Sequence, residues 1–244
     1  MSTIKADTVQ PSDFASDLTL GASGDTVTVA GDSILTDKVQ DKGGNTLWDF
    51  STGDFVSTKK EFASQNLKLL STAEATGQDS VSFTNQIDST YDVYIFKFMN
   101  INPASDAADL SFQVSTAGSF TYASTITSTF FYAYQFEDGT GNGLNYWTTG
   151  DQAQGTAYQK LVTSTTSDAD GCCAGELYLF GPSSTTYTKQ FHSTMQSMFS
   201  GSGSRGAEND FTAGYINTTS AVDAIDFKMD SGKFDGTIKM YGLL

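Results

Sequence analysis

Cationic side chains are scarce in this 244-residue chain: 13 Lys and Arg stand against 28 Asp and Glu, a formal charge of −15. A surface of that sign offers no broad basic face to a phosphate backbone, so nucleic acid is not an expected partner. Histidine is represented by His192 alone, and the two cysteines, Cys172 and Cys173, are adjacent. Neighbours on a strand point to opposite faces and a vicinal disulfide strains the backbone, so free thiols are expected. One imidazole and two thiols fall short of a structural zinc set, and no metal or cofactor is expected. No apolar run approaches the roughly 20 residues of a membrane span. The opening Met1-Ser2-Thr3-Ile4-Lys5-Ala6-Asp7 also lacks the apolar core of a secretory signal, which points to synthesis in the cytoplasm without membrane insertion.

What the chain does have is hydrophobic residues at 38%, enough to build a core, spread over short alternating runs. Up to about Gln65 the pieces are brief: Thr26-Val27-Thr28-Val29 alternates, Gly43-Gly44-Asn45-Thr46 marks a turn, and Leu47-Trp48-Asp49-Phe50 resumes apolar character. Such pieces make a poor monomeric core and would gain from strands supplied by other copies. Thr58 to Thr72 fits neither period and reads as a short helix or a linker. From Ser80 onward the strand pattern strengthens, with Tyr91 to Met99, Leu110 to Val114, the aromatic Thr129 to Phe136, Ala157 to Val162, Glu176 to Phe180, Tyr187 to Met195, Asp210 to Ile216, Ile225 to Met229 and Gly236 to Gly242. Ser119 to Ala123 begins a further candidate strand, and Asn102 to Asp106 reads as a turn. Spacing of roughly 10–15 residues between strands, with Gly, Asn, Asp, Ser and Pro between, favours an all-β fold with an antiparallel, jelly-roll-like sandwich. The expected organisation is residues 1–65 for attachment and oligomerisation, 66–79 as linker and 80–244 as the sandwich.

No catalytic motif emerges, and the chain is not expected to be an enzyme. Gly201-Ser202-Gly203-Ser204-Arg205-Gly206 lacks the Gly-Lys-Ser/Thr ending of a phosphate loop and reads as a flexible loop. Asp168 with Asp170, and Glu208 with Asp210, are acidic pairs of the type glycosidases use, yet sequence proximity does not set two carboxyls on opposite sides of a bond. His192 has no partner that sequence identifies.

The connection Glu137 to Trp147 carries more chemistry. Aromatic faces stack on sugar C–H surfaces while Asn and Asp read hydroxyls, making Asn142, Asn145, Tyr146 and Trp147 candidate glycan-binding residues. The alternative is a glycine-rich hairpin whose Tyr146 and Trp147 start the next strand and enter the core. Asp138, Asn142 and Asn145 offer oxygens to calcium but match no complete calcium loop.

The chain resembles the small structural fibre and appendage proteins of tailed bacteriophages, especially those of marine bacteria. The likeness lies in Met1 to Val9, in Gly43-Gly44-Asn45-Thr46 with Trp48, in Phe83 to Tyr94, in Asn100 to Leu110, in Leu179-Phe180-Gly181-Pro182-Ser183-Ser184, in Gly214-Tyr215-Ile216-Asn217 and in Gly236 to Gly242. It implies a non-enzymatic virion protein, a homotrimeric tail fibre that touches host-surface polysaccharide, or else a capsid fibre, decoration or tail connector without receptor binding. A polysaccharide-degrading appendage is the third reading. The resemblance also implies docking to phage tail or capsid proteins through the N-terminal region, with Ile4, Val9 and Phe14 as docking residues. Cys172-Cys173 and the Gly201 to Gly206 segment have no counterpart in that pattern.

Overall fold

The computed structural model describes residues 38–40, 46–49, 56–57, 67–84, 86–116, 118, 120–201 and 204–243. The chain divides into two compact units, Met1–Ala63 and Ser64–Leu244. In the first, β1 (Lys38–Gln40), β2 (Thr46–Asp49) and β3 (Val56–Ser57) form an antiparallel three-stranded sheet in the order β1-β2-β3. Thr26 to Val29 and the docking candidates Ile4, Val9 and Phe14 lie outside the described residues.

The second unit is all-β: β4 (Leu67–Gln78), β5 (Val81–Thr84), β6 (Val93–Pro103), β7 (Leu110–Thr116), β8 (Ile126–Phe136), β9 (Asn142–Tyr146), β10 (Ala153–Gly155), β11 (Gln159–Lys160), β12 (Cys173–Phe180), β13 (Lys189–Gly201), β14 (Ser204–Ile216), β15 (Val222–Met229) and β16 (Phe234–Leu243). Two antiparallel sheets pack in a sandwich-like manner. The larger runs β10-β8-β14-β13-β12-β6-β16-β4, with β9 also paired to β8; the smaller runs β11-β7-β15-β5. The chain crosses repeatedly between them, so that β4, β6, β12 and β16 alternate with β5, β7, β11 and β15.

Apolar alternation on the inner faces builds the core. Phe227 on β15 is its aromatic centre, with ring centroids 5.2 Å from Phe96, 5.1 Å from Phe98 and 6.3 Å from Phe83. The smaller sheet is buried on both sides: Leu110, Phe112 and Val114 face the core, while Ser111, Gln113 and Ser115 are buried on the other face of β7. Fully buried Gln113 stays paired, its amide donating to the carbonyls of Ser124, Thr156 and Ala157 at 3.0, 3.2 and 2.9 Å. Lys189, also fully buried, donates to the carbonyls of Ser184, Tyr187 and Thr218 at 2.5, 2.9 and 3.2 Å and ties two connections to the end of β13.

Several expectations need correction. Residues 67–78 are not linker but edge strand β4, hydrogen-bonded along β16. Of the candidate strand from Ser119 to Ala123, Ser119 lies outside the described residues and 120–123 form no strand: residues 120–125 are irregular and cover the outer face of β7 through the Ser124 carbonyl. β6 continues through Asn102 and Pro103, and only Gln159–Lys160 of the 157–162 run pairs. Gly201 and Ser204 are paired at the end of a hairpin, so Ser204 to Gly206 belong to β14 rather than to a loop.

Truncating Phe227→Ala removes the ring shared by three aromatic neighbours and leaves a cavity; the expected cost is about 3–5 kcal/mol by urea unfolding. A loss under ~1 kcal/mol would show that the core does not centre there.

Candidate functional site

The larger sheet is wider than the one facing it. Beyond β12 its inner face continues on β13, β14 and β8, where residues opposite one another across the ladder share a face. Reading across β8, β14 and β13, the inner positions run Phe136, Gly206, Phe199; then Tyr134, Glu208, Ser197; then Tyr132, Asp210, Met195; then Phe130, Thr212, Ser193. The segment between β11 and β12 lies over this face. Asp109 accepts from the Ser164 N–H at 2.8 Å and from Lys160 Nζ at 2.5 Å, and Arg205 Nε donates to Asp168 at 2.5 Å.

Where this cover stops, a cleft of about 250 Å³ remains, lined by Tyr132, Tyr134, Phe136, Trp147, Thr163, Ser164, Phe199 and Glu208. Its aromatic wall is continuous. Trp147 meets Tyr132 at 6.4 Å, Tyr132 meets Tyr134 at 6.0 Å, and Tyr134 meets Phe136 and Phe199 at 5.3 and 6.0 Å. Trp147 is fixed from behind by Phe130, edge-on at 5.4 Å, and by Lys160 Nζ, 4.7 Å from its ring centre. Glycine makes the wall possible. A Cβ on Gly141 would stand 2.7 Å from the Phe136 ring, and one on Gly143 would stand 2.9 Å from that of Tyr134, so the rings lie across bare backbone of β9 and of the residue just before it.

Glu208, only 4% exposed, forms the polar floor and accepts a hydrogen bond from the Thr163 hydroxyl at 2.7 Å. Burial pushes its carboxyl up to about 7, against the opposing effect of that hydroxyl. Asp210 is fully buried one inner position along the strand, and burial together with the neighbouring Glu208 charge pushes it up to about 9. Tyr132 is held above its ordinary value first by burial and then by the Glu208 charge. A depression of about 600 Å³ near Cys172, Gln196, Met198 and Ala207 gathers no comparable set of rings around a carboxyl.

The four sequence candidates are divided by hairpin register. Trp147 lines the cleft. Asn145 lies opposite Tyr132 and thus on the cleft side, whereas Asn142 and Tyr146 lie opposite Gln135 and Phe131 on the other face. Tyr146 is 54% exposed, its hydroxyl donating to Asp151, so it does not enter the core. Asp138 accepts from the Thr140 N–H and hydroxyl at 2.9 and 2.6 Å, which closes a local turn. Asp168 is committed to Arg205, and exposed His192 stacks on Tyr178 at 4.7 Å on the outer face. Cys173 is buried, its thiol pushed up to about 12 by burial, and neither cysteine is bridged. Sequence reasoning missed Tyr132, Tyr134, Phe136, Phe199 and Thr163; the signal available for the first three was aromatic residues at every second position of β8, followed by Gly139, Gly141 and Gly143 at every second position from the turn into the return strand.

Comparison with protein-family models, with curated proteins and with solved structures finds no match. The chemistry of the cleft is therefore read from its own residues. Stacked rings, phenol hydroxyls and a carboxyl can hold a ring-shaped polar ligand. Two carboxyls flanking a scissile bond are not presented, because Asp210 lies behind Glu208 and does not line the cleft.

Glu208 and Asp210 both hold their protons more tightly in the folded state than ordinary carboxyls do. They therefore favour folding below about pH 4, and this contribution is lost as pH rises through about 7 and about 9. In buffer free of divalent cations, stability is expected to fall by at least ~2 kcal/mol between pH 5 and pH 9, and Asp210→Asn to remove most of the slope. Denaturant unfolding across that range checks it; a level or rising profile would show that the acids are not held uncharged.

Proposed function

We propose that this protein is a structural virion component, a trimeric tail fibre of a tailed bacteriophage, whose sandwich domain engages neutral host-surface glycan in the aromatic cleft. The observation that carries the reading is the cleft itself: five aromatic side chains around one hydrogen-bonding carboxyl, on a chain of net charge −15. Rings take the apolar faces of a pyranose, and Tyr132, Tyr134, Thr163 and Glu208 meet its hydroxyls. With Glu208 at the floor and no cationic residue among the lining, the ligand is uncharged rather than acidic.

Topology gives support at the level of analogy. We read the orders β4-β16-β6-β12 and β5-β15-β7-β11 as the two four-stranded sheets of a jelly roll, an architecture common among capsid and sugar-binding domains. On this reading β8, β9, β10, β13 and β14 are additions that widen one sheet, and they carry most of the cleft. Residues 1–65 attach to tail or capsid proteins, and trimerisation multiplies weak glycan contacts. The protein acts by binding, without turnover, on a particle assembled in the bacterial cytoplasm.

A second reading, a capsid decoration or tail connector, is favoured by the opposite face of the same strands. Phe131 and Phe211 stack there at 4.9 Å beside exposed Tyr146 and Leu144, a patch suited to a protein interface.

Calorimetric titration with neutral oligosaccharides released from susceptible cells separates the two. Binding is expected to weaken about 10-fold or more in Trp147→Ala and in Gly143→Val, which displaces Tyr134, a loss of roughly 1.4 kcal/mol. Tyr146→Ala, on the other face, is expected to bind normally. Absence of glycan binding by the purified trimer, with adsorption unaffected by the cleft variants, would favour the connector.

A further inference from the structure

The floor of the cleft continues inward into a set of buried oxygens that the glycan reading does not use. The hydroxyls of Ser193 and Ser197 have no hydrogen-bond partner. The Asp210 carboxyl is approached only by the Thr163 N–H, and the Thr165 hydroxyl only by the Cys173 thiol, neither in good hydrogen-bond geometry. They are not scattered. Asp210 faces Met195 on β13, with Ser193 and Ser197 on either side of it on the same inner face, and Ser197 lies opposite Glu208. Thr165 bridges to the backbone of Phe199, which places the cover segment over the same end of β13.

Each of these groups is fully or almost fully buried: Asp210 and Thr165 at 0%, Ser193 at 2%, Ser197 at 3% and Glu208 at 4% exposure. Leaving such groups unpaired is costly, and two carboxyls on successive inner positions of one strand repel when ionised. Among the described residues no basic side chain answers them. Lys160 is bound to Asp109, Arg205 to Asp168, Lys189 to three carbonyls, and His192 is on the opposite face.

We propose that Asp210 and Glu208, with the hydroxyl oxygens of Ser197 and Thr165, form a calcium-binding site beneath the aromatic cleft. The donor set decides the metal class. The proposed ligands combine two carboxyls with neutral hydroxyls, as a hard cation prefers; Cys173, buried opposite Ser197, keeps its proton because burial pushes its thiol up to about 12, and among the described residues no three His, Cys, Asp or Glu side chains converge to hold a metal, so the hydroxyl oxygens are needed. Calcium accepts six to eight oxygens in irregular geometry, and side chains fixed by sheet register supply an irregular set that water entering along Glu208 completes. Magnesium demands near-octahedral geometry and is expected to bind more weakly.

The site shares Glu208 with the cleft, so its test uses the metal alone, without glycan. Full-length protein stripped with a chelator is titrated with calcium chloride at fixed neutral pH, followed by thermal unfolding and calorimetry. The expected result is one calcium per chain and a rise in Tm of about 5–10 °C once calcium is ~100-fold above Kd, reversed by chelator and smaller with magnesium. Asp210→Asn and Glu208→Gln, each checked for native circular dichroism, are expected to lose the response. Should Asp210→Asn fail to fold, Glu208→Gln and the wild-type stoichiometry still decide. No Tm response and no binding heat at millimolar calcium, or a response preserved in Glu208→Gln, would overturn the site.

Discussion

The second unit is governed by a mismatch in width: nine strands on one side face four on the other. An inner sheet face cannot be left to water without losing the burial that orders it, so each part finds its own cover. Under the four strands the cover is apolar, and the Phe96, Phe98, Phe112 and Phe227 rings fill the space. Beyond β12 the cover is the segment between β11 and β12, held by polar contacts at Asp109, Glu208 and Asp168. Chain that is irregular cannot tile a flat face completely. The cleft is the part it leaves uncovered, and the polar character of β14 follows from having a hydrogen-bonding segment above it instead of a second sheet.

The same mismatch explains why the cleft rings are only half-buried. Tyr132, Tyr134 and Phe136 continue the inner face begun by Ile126, Ser128 and Phe130, but they have run past the facing sheet. They spread sideways across β9 and the residue before it, where Gly143 and Gly141 leave room, and they contact one another in sequence instead of meeting side chains from above. Gly150 does the same for Trp147, whose ring would stand 2.7 Å from an added Cβ there. The glycine content of this region is therefore a packing requirement of the rings as much as a turn signal.

Much of the fold could be read from period-two alternation, because β8, β12, β13 and β16 each bury mainly one row of side chains. β4 escaped because its run Leu67 to Gln78 buries only Ala75 fully; an edge strand whose faces are both largely wet has little pattern to show. The jelly-roll-like expectation concerned order in space, which pairing between residues more than 150 apart decides and local pattern cannot. In the site, alternation placed Glu208 and Asp210 on one face without saying which. Their burial contradicts the usual preference of carboxyls and depends on the cover segment. Asn142, Asn145, Tyr146 and Trp147 looked like one cluster because they are close in sequence, but the β8–β9 register divides them between two faces.

The position of β16 bears on how the molecule comes into being. β4 pairs with β16 and with no other strand, and β16 in turn separates β4 from β6. Residues 67–78 therefore wait for residues 234–243 before any ladder can form, and the loop closed by that step spans most of the unit. During synthesis the early strands leave the ribosome with their hydrogen-bonding edges unoccupied, while the β12–β13–β14–β8 region, paired over shorter separations, can form ahead of them. Assembly of the widened half before the other half would keep the cleft-bearing face from depending on the slowest step, and it makes the open edges of β4 and β6 the places where a crowded nascent chain is most exposed to pairing with its neighbours.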